Sequence, residues 1–190
     1  MPTVFTHAIV GASLAQAAPT GYSKWKCALA FAAVSTIPDL DVIAFGLGIP
    51  YGHTFGHRGF SHSLAFALLL GLLTCLLLFV RRSHPPWKWG VLFLLTFVAG
   101  ASHGLLDAAT DAGLGVGLFI PWSYERIFFD FRPLGTSAIS LTNFFRMRTL
   151  GVLESEIIWV WMPIFFMSGI WQLVRFAFHR MRRKTLPQEA

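Results

Sequence analysis

Gly56-His57-Arg58-Gly59-Phe60-Ser61-His62-Ser63 leads without a break into residues 64–80, an apolar run that carries no charge. Two imidazoles and a guanidinium thus sit in a Gly-flanked turn at the mouth of a helix apolar enough to enter a bilayer. The same juxtaposition recurs along the chain. His7 lies near the start of an apolar segment, Pro38-Asp39-Leu40-Asp41 closes another, and His103-Gly104-Leu105-Leu106-Asp107 closes a third. Ligand-type side chains at the ends of four apolar segments predict that these ends meet on one side of a membrane and hold metal ions. Acids at such depth are costly and mark function by default.

Composition agrees with a membrane protein. Of 190 residues, 55% are hydrophobic and 13% charged, too apolar for an ordinary soluble domain. The net charge is +6, and it is unevenly placed. Lys24, Lys26, Arg81, Arg82 and Lys88 fall between apolar runs, and the tail from Arg175 to Lys184 is strongly basic. Cations confined to the ends of apolar runs follow the positive-inside rule, so nucleic-acid binding is excluded as the reason for the basic balance. Cys27 and Cys75 sit inside apolar runs and read as small hydrophobes. Met1-Pro2-Thr3-Val4 lacks the basic start of a cleavable signal peptide.

The expected fold is all-α: a polytopic integral membrane helical bundle, one domain over residues 1–190, with a polar metal cluster near its extracytoplasmic face. Residues 4–18 form a half-helix rich in small residues, too short to span alone. Residues 25–37 form a helix that Pro38 stops, and 42–49 a short interfacial element. The runs 64–80 and 87–106 are expected to span, the first most clearly. Residues 113–155, rich in Gly and aromatic side chains, are expected to form loops and short helices at the interface. Residues 157–178 are the last spanning helix, kinked by Pro163, and 179–190 a basic cytoplasmic tail. By alternation the basic loops fall on one side. The His/Asp segments fall on the other, which the rule makes extracytoplasmic.

His103 and Asp107 are four residues apart and share one helix face, which Asp111 would extend. Asp39 and Asp41 flank Leu40, and His57 and His62 need the glycine turn to converge. Imidazole plus carboxylate without thiolate suits zinc, manganese or iron, and so many ligands exceed one tetrahedral site. Two or three ions, most simply Zn2+, would use them, with a bridging hydroxide as nucleophile. Arg58 and Asp41 are the candidate catalytic residues. Arg58 suits a phosphate oxygen, and a salt bridge to Asp39 or Asp41 is an equally good reading. Arg126 and Arg132 are candidates for an anionic head group, and Ser61 for the helix cap. His53 is left open. Glu125, Asp130, Glu154 and Glu156 are expected to pair with Arg126, Arg132, Arg146 and Arg148 near water.

The order of these motifs resembles the YdjM-type family of membrane-bound, metal-dependent hydrolases. The resemblance spans residues 1–135, with Ser61 where that family usually has Thr. It is distantly similar to zinc-dependent phospholipases C and nuclease P1. That likeness implies His7, Asp39, His57, His62, His103 and Asp107 as metal ligands and a phosphoester as substrate. The expected function is hydrolysis of a membrane lipid, a phospholipid or an isoprenoid phosphate, in the cytoplasmic (inner) membrane. Two other classes compete: a divalent-metal transporter, and a membrane protein that binds zinc structurally. A transport pathway needs polar groups through the bilayer, and the runs 64–80 and 87–101 offer only Thr74 and Thr96.

Overall fold

A computed structural model describes residues 1–78, 84–137 and 148–185. Among these residues the fold is helical and contains no strand, only the isolated bridges Thr110–Leu134 and Val116–Ile127. Four helices form the body: α1 (Val4–Ser13), α2 (Lys24–Thr36), α4 (Leu64–Leu78) and α5 (Pro86–Ala108). A short α3 (Ile43–Gly46) follows α2, and α6 (Arg148–Glu156) runs through a π-helical turn (Ile157–Trp161) into α7 (Met162–Thr185).

Helix α5 is central, with α1, α2 and α4 packed on it. The contacts depend on small residues. A Cβ at Gly100 would lie 3.1 Å from the Ala67 side chain, and one at Gly71 3.1 Å from the Phe97 backbone. In lipid, where apolar side chains gain little by leaving their surroundings, such close backbone approach is what holds helices together. Phe31, Val34, Leu92 and Ala99 fill the space between. Cys27 and Cys75 are free and buried.

Among the described residues, three helical stretches are long and apolar enough to cross a membrane: Lys24–Gly46, Pro86–Ala108 and Leu150–Phe178. This revises the order read from the sequence. The described part of the run 64–80 is the 15-residue α4, about 22 Å long against a hydrocarbon core of about 30 Å. Phe79 and Val80 lie outside the described residues. As expected, α2 ends at Thr36, just before Pro38, but the helical path does not end there. The chain tightens into a 3-10 segment, Ile37–Val42, with Pro38 in its first turn, where a missing N–H costs nothing.

Residues 110–137 form no helix. They fold back over the ends of α4 and α5 through backbone bonds: Leu64 N–H to Leu118 O at 3.0 Å, Gly117 N–H to Arg58 O at 2.9 Å, and Phe129 N–H to Ala108 O at 2.9 Å. Among the described residues of this region the helix is α6. Pro163 is accommodated by the π-helical turn just before it, and the helix then continues to Thr185, so residues 179–185 of the basic segment are helical. Arg81, Arg82, Arg146 and residues 186–190 lie outside the described residues.

Lys88 and Asp107 stand at opposite ends of α5, about 28 Å apart along its axis. Lys88 Nζ donates to Thr20 O at 2.7 Å, and Lys24 Nζ to Gln16 O at 3.1 Å. Lys24 and Lys88 lie at one end of the bundle and the His/Asp motifs, with Arg58, at the other.

Candidate metal centre

Four elements deliver the motifs to one point. α1 carries His7. The 3-10 turn after α2 carries Asp39 and Asp41. The Gly-flanked loop before α4 carries His57, Arg58 and His62, and the last turns of α5 carry His103 and Asp107. Gly104 makes the convergence possible, because a Cβ there would lie 2.4 Å from the His62 carbonyl oxygen. The loop itself bends at Arg58, whose φ of 61° is left-handed. Such a conformation costs a bulky residue about 1–3 kcal/mol and persists only where its surroundings hold it. Here the side chain is fixed at several atoms, as described below.

Asp39, His62, His103 and Asp107 each offer a ligand atom, all within 4.8 Å of one another. His62 Nε2 lies 3.0 Å from His103 Nε2, 3.6 Å from Asp39 Oδ1 and 3.3 Å from Asp107 Oδ2. His103 Nε2 lies 3.3 Å from Asp39 Oδ1. A tetrahedral ion with ligand bonds of about 2.0–2.1 Å separates its ligand atoms by about 3.3 Å. The set therefore has the ligand types and the spacing to hold a metal ion.

The hydrogen bonds aim these atoms. His103 Nδ1 donates to Ser35 O at 2.7 Å, and His62 Nδ1 faces Asp41 Oδ2 at 3.1 Å. Both rings thus turn Nε2 inward, the arrangement that outer carboxylates and carbonyls impose on metal-binding histidines. The carboxylates are the complement. Both oxygens of Asp39 and of Asp107, and both nitrogens of His7, are buried without a hydrogen-bond partner. Buried polar atoms left without a hydrogen bond are rare and expensive, and the carboxylate oxygens of Asp39 and Asp107 are placed where a cation could meet them. Burial opposes charge on His62, but the adjacent carboxylates of Asp107, Asp39 and Asp41 outweigh it and raise its pKa well above the ordinary 6.5. A proton held there neutralises the carboxylates, and a metal would displace it.

The other expected site residues take different places. His7 is fully buried and stacks on His103 with ring centroids 3.9 Å apart; its Nε2 is 3.8 Å from Asp107 Oδ1. It adjoins the four-ligand set without entering it. His57 is also outside that set. Its Nδ1 lies 2.7 Å from Asp41 Oδ1, and Asp41, His57 and His62 form a second group with ligand atoms in reach of one another. In that group Asp41 already accepts from Ser61 Oγ at 2.5 Å and from the Arg58 N–H at 3.3 Å. Asp41 is saturated where Asp39 is not, and this makes it a carboxylate that orients His57 and His62.

Arg58 is 1% exposed. Its Nε faces Asp107 Oδ2 at 3.1 Å, Nη1 donates to Ala112 O at 2.9 Å and Nη2 to Thr110 Oγ1 at 3.0 Å. The salt bridge anticipated for Arg58 exists, with Asp107 as partner in place of Asp39 or Asp41. Arg126 is likewise occupied, donating to His57 O at 3.0 Å, Tyr51 O at 3.0 Å and His53 O at 3.1 Å. Arg132 is exposed, over the Phe128 ring at 5.1 Å. Ser61 does not cap α4. Ser63 does, accepting the Phe66 N–H at 3.1 Å. His53 is exposed, and Asp111, beyond the end of α5, accepts from Thr136 Oγ1 at 2.7 Å. Neither belongs to the metal group.

Glu156 is the largest departure. Expected near water beside an arginine, it is fully buried and accepts from Thr3 Oγ1 at 2.6 Å, Thr6 Oγ1 at 2.6 Å and the Thr3 N–H. An isolated acid at the head of an apolar run was the available signal.

The family model for the YdjM inner membrane protein matches residues 1–181. The chain belongs to the YdjM inner membrane protein family. It is 35% identical over 172 residues to the inner membrane protein YbcI of Escherichia coli (strain K12), covering 90% of this chain and 96% of that protein. With three helical stretches able to cross a bilayer, it is an inner membrane protein. The family match reaches into the C-terminal third, where the sequence carried no motif. No solved structure matches.

Proposed function

We propose that this member of the YdjM family is a metal-dependent hydrolase that cleaves a phosphoester of a membrane lipid at the His/Asp end of the bundle. One observation carries the reading: no oxygen of Asp39 or Asp107 makes a hydrogen bond, although Asp107 Oδ2 is ion-paired with Arg58, in a buried site where His62 and His103 both turn Nε2 inward. A divalent ion held by these four residues, most simply Zn2+, would supply Lewis acidity toward a phosphoryl oxygen and lower the pKa of water. His7 and Asp107 Oδ1 offer a second position, which would make Asp107 a bridging carboxylate. Asp41 holds the tautomers of His57 and His62. Arg58 holds Asp107 in place and is fully engaged in doing so.

Access supports a lipid substrate. Among the four ligands only Asp39 reaches the surface, its side chain 11% exposed. Leu40 and Ile43 flank it, 59% and 63% exposed, and Trp122, Tyr124 and Phe131 are exposed on the loop after α5. Aromatic and apolar side chains around an ionic centre suit a head group held at bilayer depth. Arg132 is the exposed cation on that loop and would receive its anionic oxygen. The gathering of Lys24 and Lys88 at the opposite end supports a site facing away from the cytoplasm. The test of orientation is thiol labelling in intact cells: Trp122→Cys should react with an impermeant reagent and Trp87→Cys should not. The reverse would put the site in the cytoplasm.

A structural zinc protein is the second reading, favoured by one feature. Four protein ligands complete a tetrahedral shell, the pattern of closed sites. Transport gains no support among the described residues, since Thr74 and Thr96 spend their hydroxyls on carbonyls of their own helices at 2.8 Å each. The deciding experiment is release of phosphate or a phosphorylated head group from a panel of phospholipids and isoprenoid phosphates. Hydrolysis that chelator stops and Asp39→Asn abolishes is expected. Metal-loaded protein that hydrolyses none of them would overturn the enzyme and leave the structural site.

A further inference from the structure

Each histidine at the centre except one is held by a hydrogen bond to its ring. His62 has Asp41, His103 has the Ser35 carbonyl, and His57 has Asp41. Neither nitrogen of His7 has a hydrogen-bond partner. Its ring is placed by the stack on His103, by the 3.8 Å contact of Nε2 with Asp107 Oδ1 and by the backbone of α1. What fixes α1 therefore fixes His7.

The start of α1 is fixed from the far end of the chain. Thr3 precedes the helix and makes no side-chain cap of its own. Instead Glu156 of α6 supplies the acceptors, taking the Thr3 N–H, the Thr3 hydroxyl and the Thr6 hydroxyl. Thr6 Oγ1 in turn accepts from Trp161 Nε1 at 2.7 Å, so its own proton is free to go to Glu156. A carboxylate with three donors at the positive end of a helix is favourable even when fully buried. Thr3 lies one turn before His7 on the same face of α1, and the His7 N–H reaches Thr3 O at 3.4 Å.

We propose that Glu156 is the positioning residue for His7. The last membrane helix thereby sets the axial position and rotation of α1, and with it the edge of the metal centre that His7 forms. This rests on the reading that a metal occupies that centre. It explains why a C-terminal segment with no ligand of its own belongs to the functional unit.

The test uses the full chain in detergent and two readouts. The first is metal-independent: NMR of 13Cε1-labelled histidine in metal-free protein, with the His7 signal assigned by its loss in His7→Ala. Glu156→Ala should move the His7 signal and leave that of His84, at the opposite end, in place. The second is Co2+ titration followed by ligand-field absorption. Glu156→Ala should weaken the His7-dependent equivalent on the order of tenfold, the usual scale for residues that act through a ligand. In the His7→Ala background it should change the remaining affinity less than about twofold, because the interaction it serves is gone. Thr6→Val, which removes one donor at nearly constant volume, should shift both readouts in the same direction by less, and covers the case in which Glu156→Ala does not fold. An unmoved His7 signal in these variants, or equal losses of Co2+ affinity with and without His7, would overturn the proposal. Absence of Co2+ uptake by the unmodified protein would remove the metal reading, and the NMR comparison would still decide the clamp.

Discussion

The two ends of the bundle treat charge in opposite ways. At the basic end Lys24, exposed, and Lys88, partly buried, reach neighbouring carbonyls. At the other end His7, His62, His103, Arg58 and Asp107 are all 3% exposed or less. Carboxylate oxygens there lack partners although an arginine stands beside them. Exposed charge that is satisfied by backbone sets orientation in a membrane. Buried charge that is unsatisfied by protein asks for a ligand.

The contrast is broken most easily by metal content. Asp107→Asn and His62→Ala should each remove most of the bound divalent metal measured by elemental analysis, and Lys88→Ala should leave it whole. Equal metal in all three would abolish the distinction. Stability comes next. Arg58→Ala removes the arginine beside the buried Asp107 and should cost about 3–5 kcal/mol in metal-free protein, read by denaturant or thermal unfolding. A loss under about 1 kcal/mol would mean that Arg58 does not hold the site.

A smaller effect sharpens the comparison through pH. The His62 pKa is raised in the folded protein, so its charged form favours folding. That contribution is fully present below about pH 6.5, the unfolded value, and is lost as pH rises through the folded pKa. Metal-free protein should therefore lose stability as pH rises above about 6.5. Metal-loaded protein should lack this term, because the proton is displaced, and metal affinity should rise over the same range. A metal-free stability that grows with pH there would contradict the assigned protonation. Smallest of all, Lys88→Ala should change stability by about 0.5 kcal/mol or less, as surface substitutions do.

Much of this arrangement was legible in the sequence, and the reason is local. His103 and Asp107 share a helix face by spacing alone, and Pro38-Asp39-Leu40-Asp41 announces itself by placing acids at the end of an apolar run. The helical class follows from the length and apolarity of those runs. What was not legible depends on partners distant in sequence. Asp41 and Asp39 look alike in the chain, and only the approach of Ser61, His57 and the Arg58 N–H makes one an orienting group and leaves the other open. Arg58 and Arg126 looked free to bind an anion until residues 110–137 folded back and Arg126 took up the carbonyls of Tyr51, His53 and His57. Glu156 is 153 residues from Thr3, and no periodicity reports such a contact. Span lengths misled for a different reason. Apolarity ranked 64–80 first, while a 3-10 turn through Pro38 extends the second helix to Gly46.

X-ray absorption at the metal edge of the purified protein tests the central claim most directly. A first shell at about 2.0–2.1 Å, with scattering from at least two imidazoles and from carboxylate oxygen, is the predicted result. In the His62→Ala, His103→Ala double variant that imidazole signal should fall or the metal should be lost. A shell without imidazole, or one unchanged in the double variant, would contradict a metal centre built on Asp39, His62, His103 and Asp107.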